Sequence, residues 1–126
     1  MRLVLKDDLP FVTVTVAFKG MTTDMTQVLV DTGSASTILL ADAVAAINIL
    51  PLPEDRLYSI RGVGGSEAVF SRKVDYLQVG ECRLPGFEIE VGGMDYGFEI
   101  DGILGMDFLT KAGTVIDLRK MEIQFR

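Results

Sequence analysis

V-L-V-D-T-G-S-A-S-T, from Val28 to Thr37, is the stretch whose reading decides the fold. Val28, Leu29 and Val30 make an apolar run that ends on Asp31, and Thr32, Gly33 and Ser34 follow at once. The run reads as a buried strand, because β-branched and aliphatic residues pack well on a pleated surface. Gly33 admits backbone conformations that a side chain forbids, so the chain is expected to turn sharply there. A carboxylate thus stands at the mouth of a rigid strand with two hydroxyls beside it, which is the support a catalytic carboxylate needs. A lone Asp-Thr-Gly is more often a strand ending in a turn whose Asp accepts local N–H groups. The flanking sequence has to decide between the two.

Upstream, Phe11 to Phe18 alternates strictly: Val12, Val14, Val16 and Phe18 interleave with Thr13, Thr15 and Ala17, the period of a half-buried strand. Lys19-Gly20 begins a turn, and Met25 to Val30 is the strand that delivers Asp31. Leu3 to Leu5 is a further short strand. Downstream, Ala41 to Ile47 is the best helix candidate, rich in helix formers with Asp42 in its first turn and stopped by Pro51 and Pro53. Leu57 to Ile60 and Glu67 to Phe70 flank the glycine-rich R-G-V-G-G-S of Arg61–Ser66, a hairpin tip. No helix follows it, so it lacks the context of a phosphate-binding loop. Val74 to Val79 and Phe87 to Val91 are short strands. A short helix is expected from Met106 to Lys111, then a closing hairpin of Val115–Leu118 and Met121–Phe125. Many short strands, frequent turns and one or two short helices describe a mostly antiparallel β barrel or sandwich.

At 126 residues and 48% hydrophobic, with a mean hydropathy of +0.34, the chain is read as one domain, 1–126, able to bury a sizeable core. The net charge of −6 and the absence of a basic run disfavour nucleic acid and anionic membranes, and mildly favour basic substrates. There is no histidine and one cysteine, Cys82. Ser-His-Asp and Cys-His catalysis and His-ligated metals are therefore excluded within one chain. Cys82 has no base to activate it and reads as a core or surface thiol. Catalysis, if present, falls to carboxylates, lysines or hydroxyls. The N-terminus is no signal peptide, because Lys6, Asp7 and Asp8 interrupt its apolar stretch, and no stretch is long enough to span a membrane. The expected location is cytoplasmic, unless the chain is a fragment of a longer, anchored or exported protein.

Three features stand in order: Asp31-Thr32-Gly33-Ser34 after an apolar strand, the glycine-rich hairpin at Arg61–Ser66, and Ile103-Leu104-Gly105 before a short helix. This order resembles the retropepsin-like aspartic proteases, the single-domain relatives of pepsin that include the retroviral proteases. In that family an Asp-Thr/Ser-Gly loop carries the catalytic carboxylate. A glycine-rich flap closes over the substrate, and a hydrophobic-hydrophobic-Gly segment passes beside the catalytic turn into a helix. The closing T-V-I-D-L-R-K-M-E-I-Q-F, Thr114 to Phe125, is similar to the C-terminal strands of bacterial members. The resemblance covers Phe11 to Phe125.

The resemblance implies a small closed antiparallel β-barrel with one or two short helices. It makes Asp31 the catalytic carboxylate of an endopeptidase. Thr32 locks the two catalytic loops across a homodimer, Gly33 lets the backbone approach, and Ser34 hydrogen-bonds the outer carboxylate oxygen. Ile60, Arg61, Gly62, Val63, Gly64 and Gly65 form the flap, and Ile103, Leu104 and Gly105 support the loop. The flap carries no aromatic at its tip, which leaves Tyr58 as the substitute for the flap tyrosine of pepsin. Asp101-Gly102 lacks the Thr/Ser of a second catalytic loop and reads as a turn. Asp107 and Asp117 read as surface or capping residues. The implied partners are a peptide or protein substrate and a second copy of the chain, with no nucleic acid, membrane, metal or organic cofactor. The competing expectation is an inactive module that keeps the fold for dimerisation.

Overall fold

The computed structural model describes residues 1–62, 65–93 and 99–126, with the side chains of residues 60–62 and 65–67 excepted. Two long strands dominate it. β2 (Leu9–Phe18) and β3 (Met21–Val30) are antiparallel and joined at Lys19-Gly20. Lys19 has φ 49° and Gly20 φ 82°, the paired positive values of the two-residue turn that matches strand twist. The register shifts between Val12 and Val14, where β3 carries one residue more than β2. Asp101 braces this irregularity: its N–H donates to the Gln27 carbonyl (2.8 Å), and its carboxylate accepts the Gln27 N–H (3.1 Å). The turn expected at Asp101-Gly102 is thus a structural clamp.

The remaining strands are β1 (Val4–Lys6), β4 (Ile38–Leu40), β5 (Tyr58–Gly62), β6 (Gly65–Lys73), β7 (Tyr76–Val79), β8 (Cys82–Pro85), β9 (Glu88–Gly92), β10 (Gly102–Leu104), β11 (Thr114–Asp117) and β12 (Glu122–Phe125). β11 and β12 form a hairpin of their own, with Asp117 accepting the Lys120 N–H in its turn. The others form one sheet in the order β5-β6-β9-β4-β10-β3-β2-β7-β8, with β1 added to β2. The fold is mostly β with two short helices, α1 (Ala41–Ala45) and α2 (Met106–Lys111).

Two expectations are corrected. Among the described residues the sheet does not close into a barrel: its ends, β5 and β8, are not paired to each other. Exposed Tyr58 and Ser59 mark one edge, and β8 ends on Pro85, which has no N–H for a further neighbour. Nor is it purely antiparallel, because β10 lies parallel to β3 and β4 lies parallel to β9. α1 is shorter than expected, because Asn48 takes a left-handed φ of 66° and the last turn tightens through Ile47 and Asn48 bonding back to Val44 and Ala45.

The sheet buries both of its faces. One holds the main core, in which Val12, Val28, Leu39, Val91, Leu104 and Phe108 are almost fully enclosed. The other carries a separate cluster of Phe11, Leu29, Ile38, Val69, Ile100 and Ile103. Neighbours along β3, β4 and β10 fall alternately into the two clusters, as a two-residue period requires. Cys82 is half-buried against the main core, and burial pushes its thiol up, away from the reactive thiolate. Among the described residues no helix is long and apolar enough to cross a membrane.

Candidate active site

Asp31 leaves β3 two residues beyond Leu29 and in step with it, so it belongs to the face of the smaller cluster. Its N–H continues the β3–β10 ladder by donating to the Leu104 carbonyl at 3.0 Å. Its carbonyl accepts the Ser34 N–H at 3.2 Å, which closes the turn. The carboxylate is half-exposed, and Oδ1 accepts the Gly33 N–H at 2.9 Å. A Cβ at position 33 would stand 3.2 Å from that oxygen, so the absent side chain lets this backbone amide lie against the carboxylate.

The loop that follows is tied to the β10–α2 segment rung by rung. The Ser34 carbonyl accepts the Met106 N–H (2.8 Å), and the Ala35 carbonyl accepts the Asp107 N–H (3.2 Å). These bonds use the first donors of α2, which has no side-chain N-cap and would otherwise leave them unpaired. Thr37 is fully buried, the one polar residue in the buried set of the described residues. Its hydroxyl donates to Asp107 Oδ1 (2.7 Å) and accepts the Gly105 N–H (3.1 Å), while its own N–H donates to Asp107 Oδ2 (3.1 Å). Gly105 is forced by proximity: a Cβ there would lie 2.3 Å from the Ser36 carbonyl oxygen. The hydrophobic pair before it divides between the faces, Ile103 to the smaller cluster and Leu104 to the main core.

The structure therefore brings Asp31, Gly33, Ser34 and the Ile103-Leu104-Gly105 segment together. It differs on Ser34, whose hydroxyl donates to the Ser36 carbonyl (2.7 Å) and not to the Asp31 carboxylate. A hydroxyl has one proton to give, and the local carbonyl takes it. Thr32 is exposed, and among the described residues its hydroxyl has no hydrogen bond. It borders a groove of 360 Å³ lined with Met106, Leu109, Thr110, Thr114 and Ile116.

The proposed flap maps to β5 and β6, whose register pairs Gly62 with Gly65 across a two-residue connection. Val63 and Gly64 lie outside the described residues, as do the side chains of Ile60 and Arg61. Tyr58 sits at the start of β5, away from the hairpin tip, and its hydroxyl is bonded to Ser71 on β6.

The model of the aspartyl protease family matches this chain over residues 12–108, a span that includes the Asp-Thr-Gly turn between β3 and β4 and ends in α2. The chain belongs to the aspartyl protease family. Among curated proteins, no match was found. The retropepsin-like reading of the sequence agrees with this membership, which covers more than half of the chain.

Sequence reasoning missed two parts of this candidate site. Thr37 carries a readable signal, a hydroxyl residue opening an otherwise apolar Ile38-Leu39-Leu40 run. Asp107, read as a surface or capping residue, is half-buried and holds the loop through both oxygens; it also accepts the Phe108 N–H at 2.7 Å. Nothing in the spacing distinguishes such a brace from an ordinary acidic residue in a first helical turn.

Proposed function

We propose that the chain is an aspartic endopeptidase that acts as a homodimer, with Asp31 of each copy facing one water. The observation that carries the reading is Asp31 itself: a half-exposed carboxylate on a loop whose backbone is fixed by Leu104, Gly105, Met106 and Asp107. Family membership supports peptide substrates. The sequence supplies one Asp-Thr-Gly, so the second carboxylate comes from a second copy, with the site on the two-fold axis. Exposed Thr32, with its hydroxyl unused and an apolar groove beside it, supports a partner at that surface.

Two carboxylates about 3 Å apart, at an effective dielectric near 20, repel by roughly 5 kcal/mol when both are charged. That energy keeps one proton on the pair over about four pH units. The ionised member takes a proton from water as the water attacks the scissile carbonyl. The protonated member polarises that carbonyl and then returns a proton to the leaving amine. The β5–β6 hairpin closes over the peptide in this reading.

The deciding experiment is hydrolysis of a peptide library by wild type and by Asp31→Asn, with thermal unfolding of both. Asp31→Asn keeps size and fold and loses at least about 10²-fold in rate, the usual contribution of a general base. Undiminished hydrolysis by pure Asp31→Asn removes Asp31 from the chemistry. A wild-type dimer that cleaves nothing identifies the inactive dimerisation module instead. Specific activity falls on dilution, because each site needs two chains.

A further inference from the structure

Two parts of the sheet meet at Glu90 on β9. Its N–H donates to the Thr37 carbonyl at 3.0 Å, in the segment that leaves the Asp31 turn. In register it stands between Ile38 on β4 and Ser71 on β6. Ser71 in turn is hydrogen-bonded to the Tyr58 hydroxyl, at the start of β5. Residues paired in register point to the same face of a sheet. The smaller apolar cluster, which includes Ile38, therefore passes at Glu90 into polar side chains that end on an edge strand.

The Glu90 carboxylate is incompletely served. Oε2 is buried and has no hydrogen-bond partner. Burial disfavours its charge, and so do the negative charges of Asp107 on α2 and Glu88 on its own strand. The hydroxyls of Ser36, beyond the Asp31 turn, and Tyr58 lie close enough to stabilise the charge. Of the two cations on β6, Lys73 is exposed and paired in register with Glu88. Arg72 is turned to the other face, where it stacks on Phe70 and pairs with Asp55. A charged carboxylate with a buried, empty oxygen is costly, and the cost falls when water reaches it. Tyr58 is the neighbour placed to let water in. It is 40% exposed, and among the described residues β5 has only β6 beside it.

We propose that Glu90 is a positioning residue that ties the base of the β5–β6 hairpin to the segment beyond the Asp31 turn, and that its charge decides whether β5 stays seated. With its proton bound, Glu90 is neutral and Tyr58 stays over it. With the proton lost, release of Tyr58 lets water reach Oε2. The seated state therefore holds the proton more tightly than the released one. By linkage, the released fraction rises by up to about tenfold per pH unit, from the ordinary carboxylate range to the raised value of the seated state, and is level outside that window. The consequence for catalysis rests on the peptidase reading above and supplies its regulation. β5 is one strand of the hairpin that covers the peptide in that reading, so cleavage weakens as β5 is released.

The test is hydrogen exchange of the β5 amides across pH, each rate divided by the intrinsic rate at that pH, with the β2 amides as the reference for global unfolding. In wild type the protection of β5 stays below that of β2 and falls by up to about tenfold per pH unit across the window. Glu90→Gln keeps the size, is neutral at every pH and shows no such fall. Tyr58→Phe removes a hydroxyl that stabilises the charge in the seated state, so the upper end of the window moves to higher pH, which a merely structural role for Glu90 would not produce. A flat wild-type profile, a fall that survives Glu90→Gln, a window unmoved by Tyr58→Phe, or β5 protection equal to that of β2 overturns the inference. In hydrolysis of a cleaved peptide, Glu90→Gln moves the alkaline limb of kcat/KM to higher pH, and an unmoved limb in an active enzyme overturns the control of cleavage. A window in exchange without any hydrolysis by wild type refutes the peptidase and keeps the coupling, whereas hydrolysis without the window refutes the coupling and keeps the peptidase.

Discussion

Thr37→Val tests whether the buried brace, and not the Asp-Thr-Gly turn alone, fixes the site. Valine matches threonine in shape, so the substitution removes a hydroxyl and leaves no cavity. Two bonds vanish: the donation to Asp107 at 2.7 Å and the acceptance of the Gly105 N–H at 3.1 Å. The first is a hydrogen bond to a charged group, worth about 1.5–3 kcal/mol; the second leaves a buried donor unpaired, at about 1–3 kcal/mol. A central value of about 4 kcal/mol is a large part of the roughly 5–15 kcal/mol that holds a domain folded. At an unfolding entropy of about 2.1 cal/mol/K per residue, 126 residues lose roughly 4 °C of Tm per kcal/mol. The expected fall is about 15 °C by calorimetry. Thr37→Ser keeps the hydroxyl, loses one methyl, and falls by only about 1 kcal/mol. A Thr37→Val protein as stable as Thr37→Ser would show that the two bonds do not hold the loop.

Gly105→Ala places a Cβ 2.3 Å from the Ser36 carbonyl oxygen, a backbone atom that cannot swing aside; it costs at least about 3 kcal/mol and lowers Tm and peptidase activity together. A variant within 1 kcal/mol of wild type by urea unfolding would contradict the close approach. Ser34→Ala loses one hydrogen bond to the Ser36 carbonyl, about 1 kcal/mol, and leaves the acidic limb of the pH–rate profile in place. A shifted limb would show that the hydroxyl turns to the Asp31 carboxylate in the working enzyme. Glu90 is expected to lower stability as pH rises. Burial raises its pKa in the folded chain, so the folded state holds the proton longer than the unfolded one, and stability drops as pH climbs from the ordinary carboxylate range through the raised value. Glu90→Gln removes that drop, so its Tm gains on wild type as pH rises above the ordinary carboxylate range; parallel Tm profiles would refute the assignment.

The long strands were legible because their apolar periods are strong: Val12, Val14 and Val16 declare β2, and the run to Val30 declares the strand that carries Asp31. The helix over Met106–Lys111 has the bounds expected of it. β4, β8 and β10 were hidden for a common reason. Three or four residues are too few to show a period, and Ile38-Leu39-Leu40 and Gly102-Ile103-Leu104 are strands only because each has neighbours on both sides. The open, mixed sheet was illegible for the same reason, since its parallel pairs are made by these short segments. At the site, the turn was readable from glycine and hydroxyl chemistry. The Thr37–Asp107 pairing joins residues 70 positions apart, and no local pattern encodes it. Ser34 shows the limit in the other direction: the residue type was right for its expected partner, and a nearer carbonyl won its proton.

The position of β10 also sets the order of events as the chain is made. β3 and β4 are separated by only the seven residues 31–37, yet β10, some seventy residues further on, lies between them. Until it arrives, the gap beneath the turn is empty, the Asp31 N–H has no carbonyl to meet, and Thr37 has neither Gly105 nor Asp107 to hold it. A growing chain that already carries its acidic turn is thus without a formed cleft until about residue 108 has emerged. Closing a loop of that length is slow compared with forming the β2–β3 hairpin. In the peptidase reading proposed above, assembly of the cleft is in this way deferred to the last stages of folding.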